Sequence, residues 1–391
     1  MTILKGKVNY VGVNDRTKDL FESLWPLPYG VSYNSYLIDD DKVTLIDTVD
    51  VSFFPKFLKN IHEVIGDRPI DYLVINHMEP DHSGSISLIR KYYPNITIVG
   101  NKKTLEMVNG FYGEHTQTLA VSDGAELNIG HHKLRFYLTP MVHWPETMMT
   151  FDENDHILFS GDAFGCFGAL NGAVVDKDMN IEHYWGEMIR YYSNIVGKYG
   201  SPVQKALAKL GGIDIEMICS THGPVWTEYI PQVVAEYNRM SLYEGARGVV
   251  SAYGSMYGHA EEMAEAIAAE LAAQGVKNIV MHNVARTDHS YILADIFRYK
   301  GLVLGCPTYN TQLFPEMDKL LKEIASREVK NRVTAYFGTF SWAGQVGKKM
   351  CEWNEKMKFT EVCTPVECKQ GITPEVLENC SQLAKAVAAQ L

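Results

Sequence analysis

Apolar and polar residues alternate in two different rhythms along the chain. Through residue 245, short apolar runs bounded by Gly, Pro, Asn and Asp recur: GVSYNSYLI, KVTLIDT, DYLVIN, ITIVG, HKLRFYLTPMV, HILFSGD and EMICSTHG. Their lengths and turn boundaries predict strands. Between them, FFPKFLKNIHEVIG and IEHYWGEMIRYYSNIVGKYG carry the helical period, so this part reads as a mixed α/β domain with substantial sheet. From Gly248 the alternation becomes regular. GVVSAYGS, NIVMHNV, GLVLGCPTYN, RVTAYFGTF and EVCTPVECK read as strands, each followed by a helical stretch, the last being TPEVLENCSQLAKAVAAQL. Five such units predict a doubly wound parallel sheet whose ligand sits beyond the carboxyl ends of the strands. The boundary falls near SLYEGARG, giving domains 1–246 and 247–391. No short-period repeat is present, which excludes solenoids and propellers.

Composition narrows the function classes. The 391 residues hold 36 Lys+Arg against 47 Asp+Glu, a formal charge of −11. That balance argues against a nucleic-acid partner, which needs a basic footprint. No apolar run reaches membrane-spanning length, and the start MTILKGKVNYVGV lacks a signal-peptide core, so a cytoplasmic protein with no membrane partner is expected. Seven cysteines without a C-x-x-C pair make a poor disulfide framework and are expected to be reduced.

The densest chemistry is NHMEPDHSGS, residues 76–85, directly after the strand DYLVIN. In an extended loop, His77, Glu79 and Asp81 share one side, so their donors are expected to converge on one point while His82 turns toward a second. Pro80 excludes a helix interior, and Ser83 or Ser85 can start the next helix. His143, Asp162 and His222 each follow an apolar run in the same way. Seven N/O donors and no sulfur exceed what one tetrahedral site uses, whereas two metals bridged by a carboxylate use them all. Packing Glu79, Asp81 and two histidines together without a partner would cost several kcal/mol. The remaining histidines, among them His131, His132, His156 and His183, are assigned to surface or core.

Three loops mark a second site. In YGSMYGHAE, Ser255, Met256, Tyr257, Gly258, His259 and Ala260 can offer backbone N–H groups and the Ser255 hydroxyl to a phosphate at a helix amino terminus. The loop is neither G-x-G-x-x-G nor a Lys-bearing P-loop. Pro307, Thr308, Tyr309, Asn310 and Thr311 end the third strand of this half. Gly338, Thr339, Phe340, Ser341, Trp342, Ala343 and Gly344 end the fourth. Both loops suit a planar ring gripped at its edges, with Tyr309 and Trp342 as its neighbours. Residues 251–255 offer no acidic phosphoacceptor, which counts against a receiver domain.

The first half resembles the metallo-β-lactamase fold, an αββα sandwich with a common His-x-His-x-Asp-His motif. Glu79 stands where that motif has its second histidine, and a hard anionic oxygen favours iron over zinc. With His143, Asp162 and His222, and with the GVSYNSYLI, VHWPETM and GDAFG segments, the chain resembles the flavodiiron proteins along essentially its whole length, including domain order. The three later loops resemble those of short-chain flavodoxins, implying FMN. The resemblance implies that His77, Glu79 and His143 hold one iron. Asp81, His82 and His222 hold the other, and Asp162 bridges them. It implies reduction of O2 to water and/or NO to N2O at the nonhaem diiron site, with electrons delivered through FMN. Without C-x-x-C pairs the chain carries no fused rubredoxin module, so the implied donor is external, such as rubredoxin or a reduced deazaflavin. A head-to-tail homodimer, or a tetramer, is also implied. A domain of ~245 residues has a radius of gyration near ~18 Å, which can put a flavin in the same chain too far from the irons. One departure is the amino-terminal NDRTKDLFES, where Glu22 aligns with a family histidine. Two other readings are a zinc-dependent hydrolase with a flavodoxin-like domain and a non-catalytic flavin redox carrier.

Overall fold

In the computed structural model, which describes residues 2–391, the apolar runs of the first half pair into two sheets. The first sheet runs in the order Thr2–Lys5, Val8–Tyr10, Tyr36–Ile38, Thr44–Ile46, Tyr72–Val74, Thr97–Gly100 and Thr118–Ala120. Its last four strands are mutually parallel. The second sheet runs Glu126–Asn128, Lys133–Leu138, Met148–Asp152, Ile157–Gly161 and Met217–Ser220, with only the last pair parallel. The sheets face each other: Tyr36 donates its hydroxyl to Ser220 O at 2.5 Å, and its ring lies 5.5 Å from Phe159. Helices flank both, completing the expected αββα sandwich.

Local chemistry explains the flanking elements. Helix Phe54–Ile65 buries Phe54, Phe57, Ile61 and Ile65, one stripe at helical spacing. Helix Lys102–Tyr112 starts where the Asn101 side chain accepts from the Lys103 and Thr104 amides, and it stops at left-handed Gly113. GVSYNSYLI is not one strand. It breaks into Val31–Tyr33 and Tyr36–Ile38 because Asn34 turns to hydrogen-bond Thr221 O, Ser220 O and Gly223 O across the sandwich. The amino-terminal strands before residue 30 carry no strong alternation, and sequence reasoning missed them.

The later half forms a wholly parallel five-stranded core in the order Ile279–Asn283, Ala246–Tyr253, Tyr299–Tyr309, Val333–Phe340 and Val366–Lys369. The order reverses between the first and third of these strands in sequence, which makes a crevice at their carboxyl ends. Helices His259–Ala273 and Pro374–Ala388 share one buried apolar cluster with the sheet residues Val249, Val303 and Phe337. Helices His289–Arg298, Pro315–Ser326 and Val346–Met357 pack on the same sheet outside that cluster. The chain divides into two compact units. One ends at Tyr192 and regains Ser201–Asn238; the other comprises Ser193–Gly200 and Arg239–Leu391. All seven cysteines are free, and no described helix is long and apolar enough to cross a membrane.

Candidate metal centre and flavin cleft

The seven predicted donors meet at one edge of the sandwich because each follows a strand that points there. His77 lies beyond Tyr72–Val74, His143 beyond Lys133–Leu138, Asp162 beyond Ile157–Gly161 and His222 beyond Met217–Ser220. Glu79 precedes, and Asp81 and His82 lie within, the one-turn helix Pro80–Ser83. All seven are buried.

They form two groups. His77, Glu79, His143 and Asp162 bring one donor atom each within 4.8 Å of the others, and so do Asp81, His82 and His222. In the first group, His143 Nε2 lies 3.2 Å from Glu79 Oε2 and 3.1 Å from Asp162 Oδ2, and His77 Nε2 lies 3.4 Å from each. In the second, His82 Nε2 is 3.0 Å from His222 Nε2 and 3.4 Å from Asp81 Oδ2. Asp162 reaches both groups, since its Oδ1 is 3.0 Å from His82 Nε2. Donors roughly 2.1 Å from a shared ion stand about 3.0–3.4 Å apart at tetrahedral or octahedral angles. The observed spacings match that range.

The extended-loop expectation fails for Asp81. It does not join His77 and Glu79 but sits with His82 and His222. Pro80 occupies the first helical position, so the alternation of an extended chain ends at Glu79 and the next residues follow a helical turn.

The chemistry of the cluster fits cations. His77 Nε2, Glu79 Oε2 and both Asp81 oxygens are buried with no hydrogen-bond partner. Burial opposes charging the imidazoles, yet the carboxylates overcome it. Asp81 and Asp162 raise His82 to about 9, while the neighbouring Asp162 and Glu79 carboxylates raise His143 to about 9. Burial likewise pushes the Glu79 carboxyl up, but His143 and His77 outweigh it and hold it well below the usual carboxylate range. A field that keeps protons on buried imidazoles is one that also favours metal ions.

Glu146, Ser32 and Tyr191 were not legible in the sequence, whereas Glu22 was singled out there by resemblance. Glu146 Oε1 lies 2.8 Å from His77 Nδ1 and accepts the Met78 amide at 2.9 Å. The carbonyl of Ser32 lies 2.7 Å from His222 Nδ1. These partners leave each Nε2 facing the cluster. Tyr191 is fully buried, its ring is 5.5 Å from His222, and its hydroxyl has no partner among the described residues. Burial and then the charges of Asp162, Glu79 and Asp81 push that phenol far up. Glu22 lies in the tight turn between Leu20–Phe21 and Trp25–Pro26, where both Glu22 and Ser23 adopt positive φ. Trp25 Nε1 donates to Glu22 Oε2 at 3.3 Å, and desolvation followed by the Glu79 charge raises the carboxyl to about 7.

The second site is an open cleft at the strand-order reversal. Fifteen of the eighteen predicted residues line it, from Ser255 to Ala343. The exceptions are Gly258, Gly338 and Gly344. Gly258 (φ +96) makes the turn into helix His259–Ala273, Gly338 lies against Val346, and Gly344 lies against Phe340. Gln370, which sequence reasoning missed, completes the wall; its side-chain amide donates to Ser341 O at 3.4 Å. Trp342 and Tyr257 are 85% and 88% exposed, large apolar surfaces awaiting a cover.

Comparison with known proteins agrees with both halves. The family described as "ODP family beta lactamase" matches residues 31–223, and "Flavodoxin" matches residues 252–383. The anaerobic nitric oxide reductase flavorubredoxin of Enterobacter sp. (strain 638) is 32% identical over 402 residues, covering 99% of this chain and 81% of that protein. Rubredoxin oxygen:oxidoreductase from Desulfovibrio gigas superposes with a TM-score of 0.94 at 28% identity, covering 100% of this chain and 98% of that one. The flavodiiron protein from Giardia intestinalis gives 0.94 at 28% identity, with 98% and 95% covered. Two domain matches in this order and full-length similarity to such relatives lead to one conclusion: the chain is an oxidoreductase belonging to the flavodiiron protein family.

Proposed function

We propose that this protein reduces O2 to water, NO to N2O, or both, at a nonhaem diiron site supplied with electrons through FMN. The observation that carries the reading is Asp162, whose two oxygens face different donor groups 3.1 Å and 3.0 Å away. In this reading His77, Glu79 and His143 hold one iron, Asp81, His82 and His222 the other, and Asp162 joins them. Ser255–Ala260 would hold the phosphate of FMN, and Tyr309 and Trp342 would flank its ring. When bound, the irons and flavin supply the four electrons that convert O2 and four protons into two waters, or the two that convert two NO and two protons into N2O and water.

The chain's own residues do the rest. Glu146 and Ser32 O fix the imidazoles, so the donors are preorganised and need no rearrangement around a small gas. The carboxylates Glu79, Asp81 and Asp162 offset metal charge. Both reductions consume protons, and the Glu22 carboxyl, which interacts with Glu79, is placed to supply them. The buried aromatic wall of Phe21, Phe167 and Tyr191 keeps bulk water off His222. An external donor of the rubredoxin or reduced-deazaflavin type completes the chain of electrons. A head-to-tail homodimer would set each flavin against its partner's irons. The cytoplasm, with its reduced thiols, suits seven free cysteines.

The test is metal and flavin stoichiometry on protein from iron-replete cells, followed by anaerobic assays of O2 and NO consumption with a reduced donor. Two irons and one FMN per chain, with gas consumption, support the reading. Zinc that Fe(II) reconstitution does not replace, with ester or phosphodiester turnover, would make the protein a hydrolase. Bound flavin without gas turnover would make it an electron carrier.

A further inference from the structure

At the end of the second sheet opposite the donor cluster, two turns meet. One precedes Lys133–Leu138, and the other joins Met148–Asp152 to Ile157–Gly161. They bring one ligand atom each of His131, His132 and Asp155 within 4.8 Å of one another. His132 is fully buried and its ring orientation is fixed. Asp40 Oδ2 accepts its backbone N–H at 2.8 Å and lies 2.7 Å from Nδ1. With Nδ1–H donated to Asp40, Nε2 presents a lone pair. That nitrogen has no hydrogen-bond partner, nor has the buried Asp155 Oδ2 facing it 3.3 Å away. Asp152 Oδ2 stands 3.9 Å from the same nitrogen. On one side Gly6 (φ +56) packs so closely that a Cβ there would collide with Asp155 Oδ2. On the other, the exposed His131 places Nε2 3.3 Å from Asp155 Oδ1. In that tautomer two buried acceptors face each other at 3.3 Å with a third carboxylate behind, an arrangement that suits a cation between them.

We propose that His131, His132 and Asp155 form a mononuclear divalent-cation site. Two imidazoles and one carboxylate suit zinc, with the fourth position open to water on the His131 side. The Asp40–His132 pair is the carboxylate–histidine arrangement that orients metal ligands, and it repeats Glu146–His77 at the first centre. A bound ion would tie the two turns together beneath the Gly6 loop. This inference does not depend on the redox reading.

The test titrates Zn(II) into anaerobic, iron-loaded, flavin-replete protein by calorimetry, with iron measured before and after. One zinc per chain beyond the iron is expected, with a Kd of about 1 μM or tighter. His131→Ala and Asp155→Asn should each weaken it at least about tenfold while iron and flavin contents stay at wild-type levels. Zinc should also raise the Tm of the wild type but not of either variant. His131 is exposed, so its variant keeps the test open if substitutions at buried His132 fail to fold. Three results would overturn the proposal: no saturable zinc binding below about 100 μM, affinity unchanged in both variants, or zinc uptake matched by iron release. The cluster would then be a metal-free contact between His132 and Asp155.

Discussion

His82 and His222 point their Nε2 atoms at each other across 3.0 Å, although 140 residues separate them. Two imidazole nitrogens at that distance need a proton or a metal ion between them, and Asp81 and Asp162 supply the negative field that favours either. Removing metal should therefore loosen this edge of the sandwich. Chelated protein is expected to melt several degrees below the same protein reloaded with Fe(II), because ligand at about 1,000 times Kd adds about 4 kcal/mol. Calorimetric scans with and without metal check this, and identical Tm values would mean that the cluster is held by protons alone.

Asp162→Ala removes a side chain with an oxygen toward each donor group. Gas turnover is expected to fall at least about a hundredfold, with flavin content unchanged. Oxygen- and NO-electrode traces beside a flavin spectrum decide it; wild-type turnover would remove the bridged-metal mechanism.

Glu146→Gln keeps shape but weakens the acceptor that orients His77. Iron affinity should drop about 10–100-fold, the usual effect of losing such a partner. Chelator competition measures this directly. An unchanged affinity would reduce Glu146 to a cap on the Met78 amide.

Glu22 gives a pH signature in the metal-free chain. Its folded value of about 7 exceeds the ordinary value of about 4.5, so the native state binds more protons between them. Its contribution to stability is complete below about pH 4.5 and is lost as pH rises through about 7. The slope is shallow because the residue is exposed to solvent, which screens the Glu79 charge. Urea melts from pH 5 to 8 should show wild type losing more stability with rising pH than Glu22→Gln. Parallel profiles would place the Glu22 carboxyl away from Glu79.

Trp342→Ala should weaken FMN binding roughly tenfold, since an aromatic contact contributes about 0.5–1.5 kcal/mol beyond its area. Iron content should stay constant. Flavin fluorescence titration of the apoflavin protein reads the change; equal affinity would leave the ring gripped elsewhere in the cleft.

Much of the candidate site was legible in the chain because its donors lie where apolar runs stop. Strand ends are set by local pattern, so His77, His143, Asp162 and His222 could be picked out one by one, and four donors within residues 77–82 signalled a metal. The same logic reached the three flavin loops, since every parallel strand of the later half must end at the same edge. It failed where the backbone changed period. Asp81 looked like a partner of His77 only while the loop was taken as extended, and one helical turn begun by Pro80 moved it to the other group.

What the sequence determined by itself was therefore local and periodic: which runs form strands, where they stop, and which donor-rich loops follow them. Only the tertiary structure decided which donors share a point, that Glu146 and Ser32 fix two of the imidazoles, and that Tyr191 stands at the edge of the cluster. The same holds for His132 being caught between Asp40 and Asp155. Those relationships join residues tens to nearly two hundred positions apart, and no local propensity encodes them. They exist because two sheets pack face to face and bring strand ends together, and burial then turns ordinary polar side chains into partners that must be satisfied.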